Sequence, residues 1–307
     1  MNADDVADHD FNSIRVRSDD GAEADLDLIC PTTAALGVLW LPALGVTSRH
    51  YRAFARALAS EGFAVALLEW RGAGSSSLRA ARDCNWGYRE LLEDDIPASL
   101  EAARKAHPQL RWVVGGHSLG AQLGALFAAM RPDALEGFAF AASGSPYWRT
   151  FTGKMRWLLR SVPWLVAVAT AVCGYYPGKR LGFAGREASQ LMRDWARSSK
   201  AGCYESYFEG TDSERALAKF GKPVLGIRLS DDRLCPEESF NWLLKKFHDA
   251  PVERVLLTPE NFSSAVADHF SWLKDPQPVA ECLAKWLREL QSRDASTSAP
   301  APMNRTG

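Results

Sequence analysis

The chain has 307 residues, 47% of them hydrophobic, and a formal net charge of -1. That length holds one large α/β domain or two small ones, and that apolar fraction supplies a sizeable core. Near-neutrality offers no electrostatic case for a nucleic-acid partner or an anionic membrane surface. The six cysteines (Cys30, Cys84, Cys173, Cys203, Cys235, Cys282) are scattered and form no Cys-x-x-Cys pair. Neither a zinc site nor a redox motif is visible, and free thiols in a reducing, cytoplasmic compartment are expected. Met1 to Asp10 is acidic and lacks the apolar segment of a secretory signal.

Residues 11–17 and 23–29 alternate apolar and polar, as in Ile14-Arg15-Val16 and Ala24-Asp25-Leu26-Asp27-Leu28. That pattern predicts an antiparallel pair at a sheet edge. Gly37 to Leu41 is continuously apolar, as expected of a strand buried on both faces. It ends in the tight turn Pro42-Ala43-Leu44-Gly45. A helix is expected from Ser48, a suitable N-cap, to Ser60, with Gly62 ending it. Phe63 to Leu68 reads as another buried strand. Arg71-Gly72-Ala73-Gly74-Ser75 follows it, without the Gly-Lys-Ser/Thr ending of a phosphate loop. Residues 87–106 carry Leu91, Leu92, Ile96, Leu100 and Ala103 at helical spacing, with Glu93-Asp94-Asp95 read as a solvated face.

Arg111 to Met130 passes from an apolar, β-prone half to an Ala/Leu-rich helical half. Between them sits Gly116-His117-Ser118-Leu119-Gly120. A serine at such a strand-to-helix bend is forced clear of the backbone, and the flanking glycines keep Cβ atoms out of the crossing. A further strand is expected over residues 135–142. From 145 to 220 the pattern becomes aromatic, basic and mostly helical, broken by Pro163, Gly174, Pro177 and Gly182. Its apolar run Trp157 to Cys173 is uncharged only after Arg160, shorter than the roughly 20 residues a bilayer requires. It is read as a buried or cleft-covering helix, and membrane contact is not expected. Strand character returns at 223–229 and 252–257, with helices at 237–248 and 279–290. Residues 292–307 are Ser/Thr/Ala/Pro-rich and predict a disordered tail.

Strands alternating with helices imply right-handed crossovers and a parallel sheet. Residues 11–144 and 221–291 therefore form an α/β core. Residues 145–220 interrupt it as a helical cap or lid over the ligand-binding edge. A serine hydroxyl needs a base within reach and a group that orients the base. Asp232, in Ser230-Asp231-Asp232, follows the strand ending at Leu229, with Asp231 as the alternative acid. His269 follows the last strand and is the candidate base. The backbone N–H groups of Leu119 and Leu44 are the candidate oxyanion donors. Tyr147, Trp148, Trp157, Trp164, Tyr175 and Tyr176 either line an acyl pocket or form the core of the insertion. No His/Asp/Glu cluster has metal-ligand spacing, and no cofactor is expected.

Gly116-His117-Ser118-Leu119-Gly120, Arg71-Gly72-Ala73-Gly74-Ser75, Asp232 with Pro236, and His269-Phe270 together resemble the α/β-hydrolase superfamily over residues 11–290. Within it, Pro42-Ala43-Leu44-Gly45-Val46, Gly174-Tyr175-Tyr176-Pro177-Gly178 and Asp194-Trp195-Ala196-Arg197 resemble a subgroup of bacterial predicted serine hydrolases without an established substrate. Asp268 precedes His269 where many relatives have Gly, and Pro42-Ala43 stands where His-Gly is usual. The resemblance implies an eight-stranded sheet, a Ser118–Asp232–His269 triad and a helical cap. The expected activity is hydrolysis of a small-molecule carboxylic ester, of an acyl chain, through an acyl-enzyme on Ser118. Acyl transfer, thioester or amide hydrolysis on the same residues, and a non-catalytic binding protein, are the alternatives.

Overall fold

The computed structural model describes residues 11–207 and 210–297. The first two strands, β1 (Asn12–Arg17) and β2 (Glu23–Ile29), pair antiparallel, as their alternation predicts. Then come β3 (Leu36–Leu41), helix α1 (Arg52–Ser60), β4 (Ala64–Leu67), α2 (Ile96–Ala106), β5 (Arg111–His117), α3 (Leu119–Met130) and β6 (Phe138–Ala141). After the insertion the core closes with β7 (Val224–Leu229), α7 (Glu237–Leu244), β8 (Val252–Leu257) and α8 (Gln277–Thr297). The eight strands lie in the order β1-β2-β4-β3-β5-β6-β7-β8, and every pair from β4 onward is parallel.

The pleat sorts each strand's residues onto two apolar layers. Leu39, Leu41, Val114, Phe138 and Phe140 face the layer that holds α2 and α3. Val38, Trp40, Val113, Ala139, Ala141, Leu225 and Ile227 face the layer that holds α1 and α8. Both faces of the central strands are thus covered, which is why these strands read as continuous apolar runs.

Three expectations need correction. Ser48 does not cap α1: a 3₁₀ turn spans Ser48–Tyr51 with Thr47 ahead of it, and the Ser48 N–H and hydroxyl both donate to the buried Glu69 carboxylate. The helix expected at 87–106 contains a π turn over Leu91–Asp95. Pro97 follows that turn and cannot donate an intrahelical hydrogen bond, and a wide turn relieves the clash of its ring with the preceding carbonyls. Asp95 is not solvated: it is buried and takes two hydrogen bonds from Arg71, at 2.8 and 2.5 Å, and one from the Ser18 hydroxyl at 2.9 Å. Arg71, also buried, donates to Asp20 at 2.6 Å. The Arg71-Gly72-Ala73-Gly74 loop is therefore locked to the turn between β1 and β2 and to the π turn.

The insertion is helical, with α4 (Gly153–Cys173), α5 (Ser189–Ala201) and α6 (Ser213–Lys219). A two-residue antiparallel pair, Tyr176–Pro177 with Arg186–Glu187, joins α4 to α5. α4 packs on α5, and α6 packs on the core helix α3. Buried Asp194 of α5 accepts from the Tyr88 N–H at 2.8 Å, and the Leu191 N–H donates to the Trp86 carbonyl at 2.8 Å. The Asp194-Trp195-Ala196-Arg197 signature thus ties the insertion to the core. Residues 292–297 of the expected tail are helical, because α8 continues to Thr297. The remainder of that tail, and Met1 to Asp10, lie outside the described residues.

Candidate active site

Three strand ends build the site. Ser118 sits between β5 and α3 with φ 54 and ψ -119, a conformation that only a tightly enforced bend gives a residue with a side chain. The surroundings explain the enforcement. A Cβ on Gly120 would overlap the Leu41 carbonyl oxygen, and one on Gly116 would lie 2.5 Å from the Gly120 carbonyl carbon. The Ser143 hydroxyl, just past β6, donates to the Ser118 carbonyl at 2.7 Å and holds the bend from the other side.

Asp232 lies three residues beyond the end of β7 and is buried. One carboxylate oxygen accepts the N–H groups of Leu234, at 2.8 Å, and Cys235, at 3.0 Å. The other lies 2.7 Å from His269 Nδ1. A carboxylate can only accept, so Nδ1 carries the proton and Nε2 is the basic nitrogen. Asp231 turns away to the Ser230 hydroxyl and the Ala267 N–H, at 3.1 and 3.3 Å. The geometry therefore pairs His269 with Asp232 and not with Asp231. Asp268, in the unexpected position before the histidine, accepts from the N–H groups of Phe270, at 3.0 Å, and Ser271, at 2.8 Å. It stiffens the loop that presents His269.

Ser118, His269, Leu44 and Leu119 all line one cavity of about 700 Å³. The Leu119 N–H opens α3 and so has no intrahelical acceptor. The Leu44 N–H donates to no group among the described residues, whereas that of Ala43 is taken by the Tyr51 hydroxyl at 2.8 Å. Ser118 and His269 face the same cavity without a mutual hydrogen bond in this conformation.

A neutral chain beneath the site was not read from the sequence. The Tyr51 hydroxyl accepts from the Ala43 N–H and is hydrogen-bonded to His117 Nδ1 at 2.8 Å. Burial, reinforced by His269 at 4.7 Å between ring centroids, holds the His117 imidazole well below the ordinary range. Burial also raises the Tyr51 phenol. The Trp70 indole N–H donates to the Pro42 carbonyl at 2.8 Å. Pro42 and Ala43 are each tied by an aromatic side chain that comes later in the chain, and no sequence signal pointed to it.

Of the six aromatic pocket candidates, Tyr176 lines the cavity. The others do not. Trp157 and Trp164 point outward from α4, Tyr147 packs on Trp242, Trp148 lies under arginines, and Tyr175 lies under Arg186. A 21-residue helix has more than one face, and spacing alone did not say which face met the cavity. The inward face of α4 supplies aliphatic residues instead, including Leu159, Val162 and Val166, while Phe151, Trp195 and Phe270 provide rings.

The fold is shared widely among solved structures. A haloalkane dehalogenase loop variant from Bradyrhizobium elkanii is 16% identical, with TM-score 0.64, covering 94% of this chain and 99% of its own. An esterase from Thermogutta terrifontis is 17% identical, with TM-score 0.57, covering 91% and 99%. An esterase from Pyrococcus furiosus is 14% identical, with TM-score 0.58, covering 94% and 96%. Likeness at this identity establishes the fold alone. No curated protein matches the sequence significantly. A family model does match, over residues 35–257, and its description is serine aminopeptidase, S33. That match takes in the elbow, Asp232 and the whole of the insertion, and the chain belongs to the Hydrolase_4 family of α/β-hydrolases.

Proposed function

We propose that this protein is a serine esterase for substrates with an apolar acyl chain. Ser118 Oγ attacks the ester carbonyl and His269 Nε2 takes its proton. Asp232 holds the imidazole through Nδ1–H and stabilises it once charged. The Leu44 and Leu119 N–H groups receive the developing oxyanion, each contributing about 3 kcal/mol of transition-state stabilisation. The protonated imidazole then protonates the leaving alcohol. Water, deprotonated by the same nitrogen, attacks the acyl-enzyme and releases the acid.

One observation carries the choice of ester over peptide. Among the described residues lining the cavity there is no carboxylate, lysine or arginine, and the ionisable side chains are those of His269 and Tyr176. The family's aminopeptidase description implies a substrate with a free α-ammonium. A buried cation needs a partner charge, and this cavity offers none. An uncharged aliphatic chain, by contrast, gains about 0.8 kcal/mol for each methylene it buries there.

The test is a series of p-nitrophenyl esters from acetate to dodecanoate, beside amino-acid p-nitroanilides. kcat/KM is expected to rise with chain length into the medium-chain range and to fall by about 10⁴-fold or more in Ser118→Ala. A preference for acetate, or faster cleavage of an aminoacyl anilide than of any ester, would contradict the reading.

A further inference from the structure

The insertion is electrostatically unlike the rest of the chain. Between Glu136 and Glu187 there is no acidic residue. The same stretch holds Arg149, Lys154, Arg156, Arg160, Lys179 and Arg180, all exposed, and none of the six forms an ion pair among the described residues. The seventh basic residue there, Arg186, is committed to the Ala80 carbonyl at 2.6 Å. The overall charge of -1 therefore conceals a basic surface on the cap.

That basic surface surrounds an apolar one. α4 is long and apolar enough to cross a membrane by length and composition, yet only 17% of its most apolar window is buried. A core helix would be mostly covered. Here the stripe opposite the cavity faces outward, with Trp157 64%, Trp164 66% and Val172 72% exposed. Trp157 and Trp164 are seven residues apart and so share one face. Lys154 and Arg160 flank that face. Arg160 lies over the Trp157 ring, 5.3 Å from its centroid, and Arg149, Arg156 and Arg160 gather over Trp148 at 5.2, 5.2 and 5.5 Å. The patch is continuous with the cavity, because Leu158, Leu165, Leu181 and Phe183 are both exposed and part of its wall.

We infer that the cap docks on the surface of an anionic lipid bilayer. α4 lies parallel to the surface, with Trp157 and Trp164 at the headgroup boundary and the lysines and arginines on the phosphates. An apolar stripe with interfacial tryptophans, rimmed by unpaired basic residues, is the composition that such a surface selects. The inward face of α4 stays on the cavity, with Leu159, Val166 and Thr170 buried, so the helix lies on the membrane and does not span it. Docked this way, the apolar rim of the cavity meets the lipid phase, and a hydrophobic substrate enters without crossing water. The docking depends on the surface and not on the chemistry proposed for Ser118.

The test uses Ser118→Ala protein, so that binding is read whether or not the protein is an esterase. Co-flotation is measured with vesicles of equal parts phosphatidylglycerol and phosphatidylcholine, and with pure phosphatidylcholine. Binding to the mixed vesicles is expected to be saturable, at least about tenfold stronger than to the neutral ones, and weakened by added salt. Trp157→Ser with Trp164→Ser is expected to lower it about tenfold or more. Lys154→Glu with Lys179→Glu, at two exposed positions, is expected to abolish the preference for anionic lipid. Absence of binding to the mixed vesicles overturns the inference, as does binding that both double variants leave unchanged. A dimer in solution that the tryptophan variant dissociates, with no vesicle binding, would assign the face to a second copy and also overturn it.

Discussion

Asp232 holds His269 with one oxygen and two backbone N–H groups with the other, so the carboxylate cannot rotate away from the imidazole. Asp232→Asn keeps the shape but reverses the preferred tautomer, and kcat is expected to fall by about 10³- to 10⁴-fold. Asp231→Asn is expected to change kcat less than about twofold, since its contacts are to Ser230 and Ala267. Steady-state kinetics on a medium-chain ester distinguish the two, and the reverse ranking would refute the geometry. Tyr51→Phe frees the Ala43 N–H and lets the Leu44 turn move. A drop of about tenfold in kcat with KM little changed is expected. His117 supplies a pH signature. Its folded-state imidazole is depressed by burial, so below about pH 6.5 the unfolded chain binds a proton that the folded chain refuses. Stability should fall on acidification by up to about 1.4 kcal/mol per pH unit from this group. Urea titrations between pH 7 and pH 5 on the parent and on His117→Asn would show a shallower loss in the variant. The two adjacent carboxylates look alike as sequence, and only the direction each side chain takes off the loop separates them. The elbow serine and the last-loop histidine were legible because their places follow from strand order.

At the level of elements, the buried Arg71–Asp95 pair ties the loop after β4 to a π turn. Removing one partner of a buried pair leaves an uncompensated charge, and Asp95→Ala is expected to cost about 3 kcal/mol. Thermal or denaturant unfolding measures this. A change below about 1 kcal/mol would mean that Asp20 alone satisfies Arg71. The acidic run Glu93-Asp94-Asp95 reads as solvated because a charge run usually is, and because the partner arrives from far away in sequence. The π turn has a readable trace in Pro97, but its register does not. Buried parallel strands left the clearest signals: Gly37 to Leu41 and Phe63 to Leu68 are continuous apolar runs, and the strands there, Leu36–Leu41 and Ala64–Leu67, match them to within a residue at each end. The aromatic stretch of the cap was the least legible, since helical spacing gives faces but not what each face meets.

For the whole molecule, the sheet separates two apolar layers and carries the Ser118, Asp232 and His269 loops to a single edge, where the insertion roofs them. That plan follows from alternation of strand and helix. The segregation of charge does not, because composition averages an acid-free stretch, residues 137–186, with an acidic remainder. Exposure of α4 is likewise a property of the assembled cap: as sequence, Trp157 to Cys173 is an apolar run that a core helix would share. The central claim is that the elbow serine is activated by its neighbours. It is tested most directly by reacting the purified protein with a fluorophosphonate and reading the intact mass, beside Ser118→Ala and Asp232→Asn. One adduct per chain on Ser118 of the parent, none on Ser118→Ala and strongly slowed labelling of Asp232→Asn is the predicted result. No adduct on the parent, or equal labelling of all three proteins, would contradict the account.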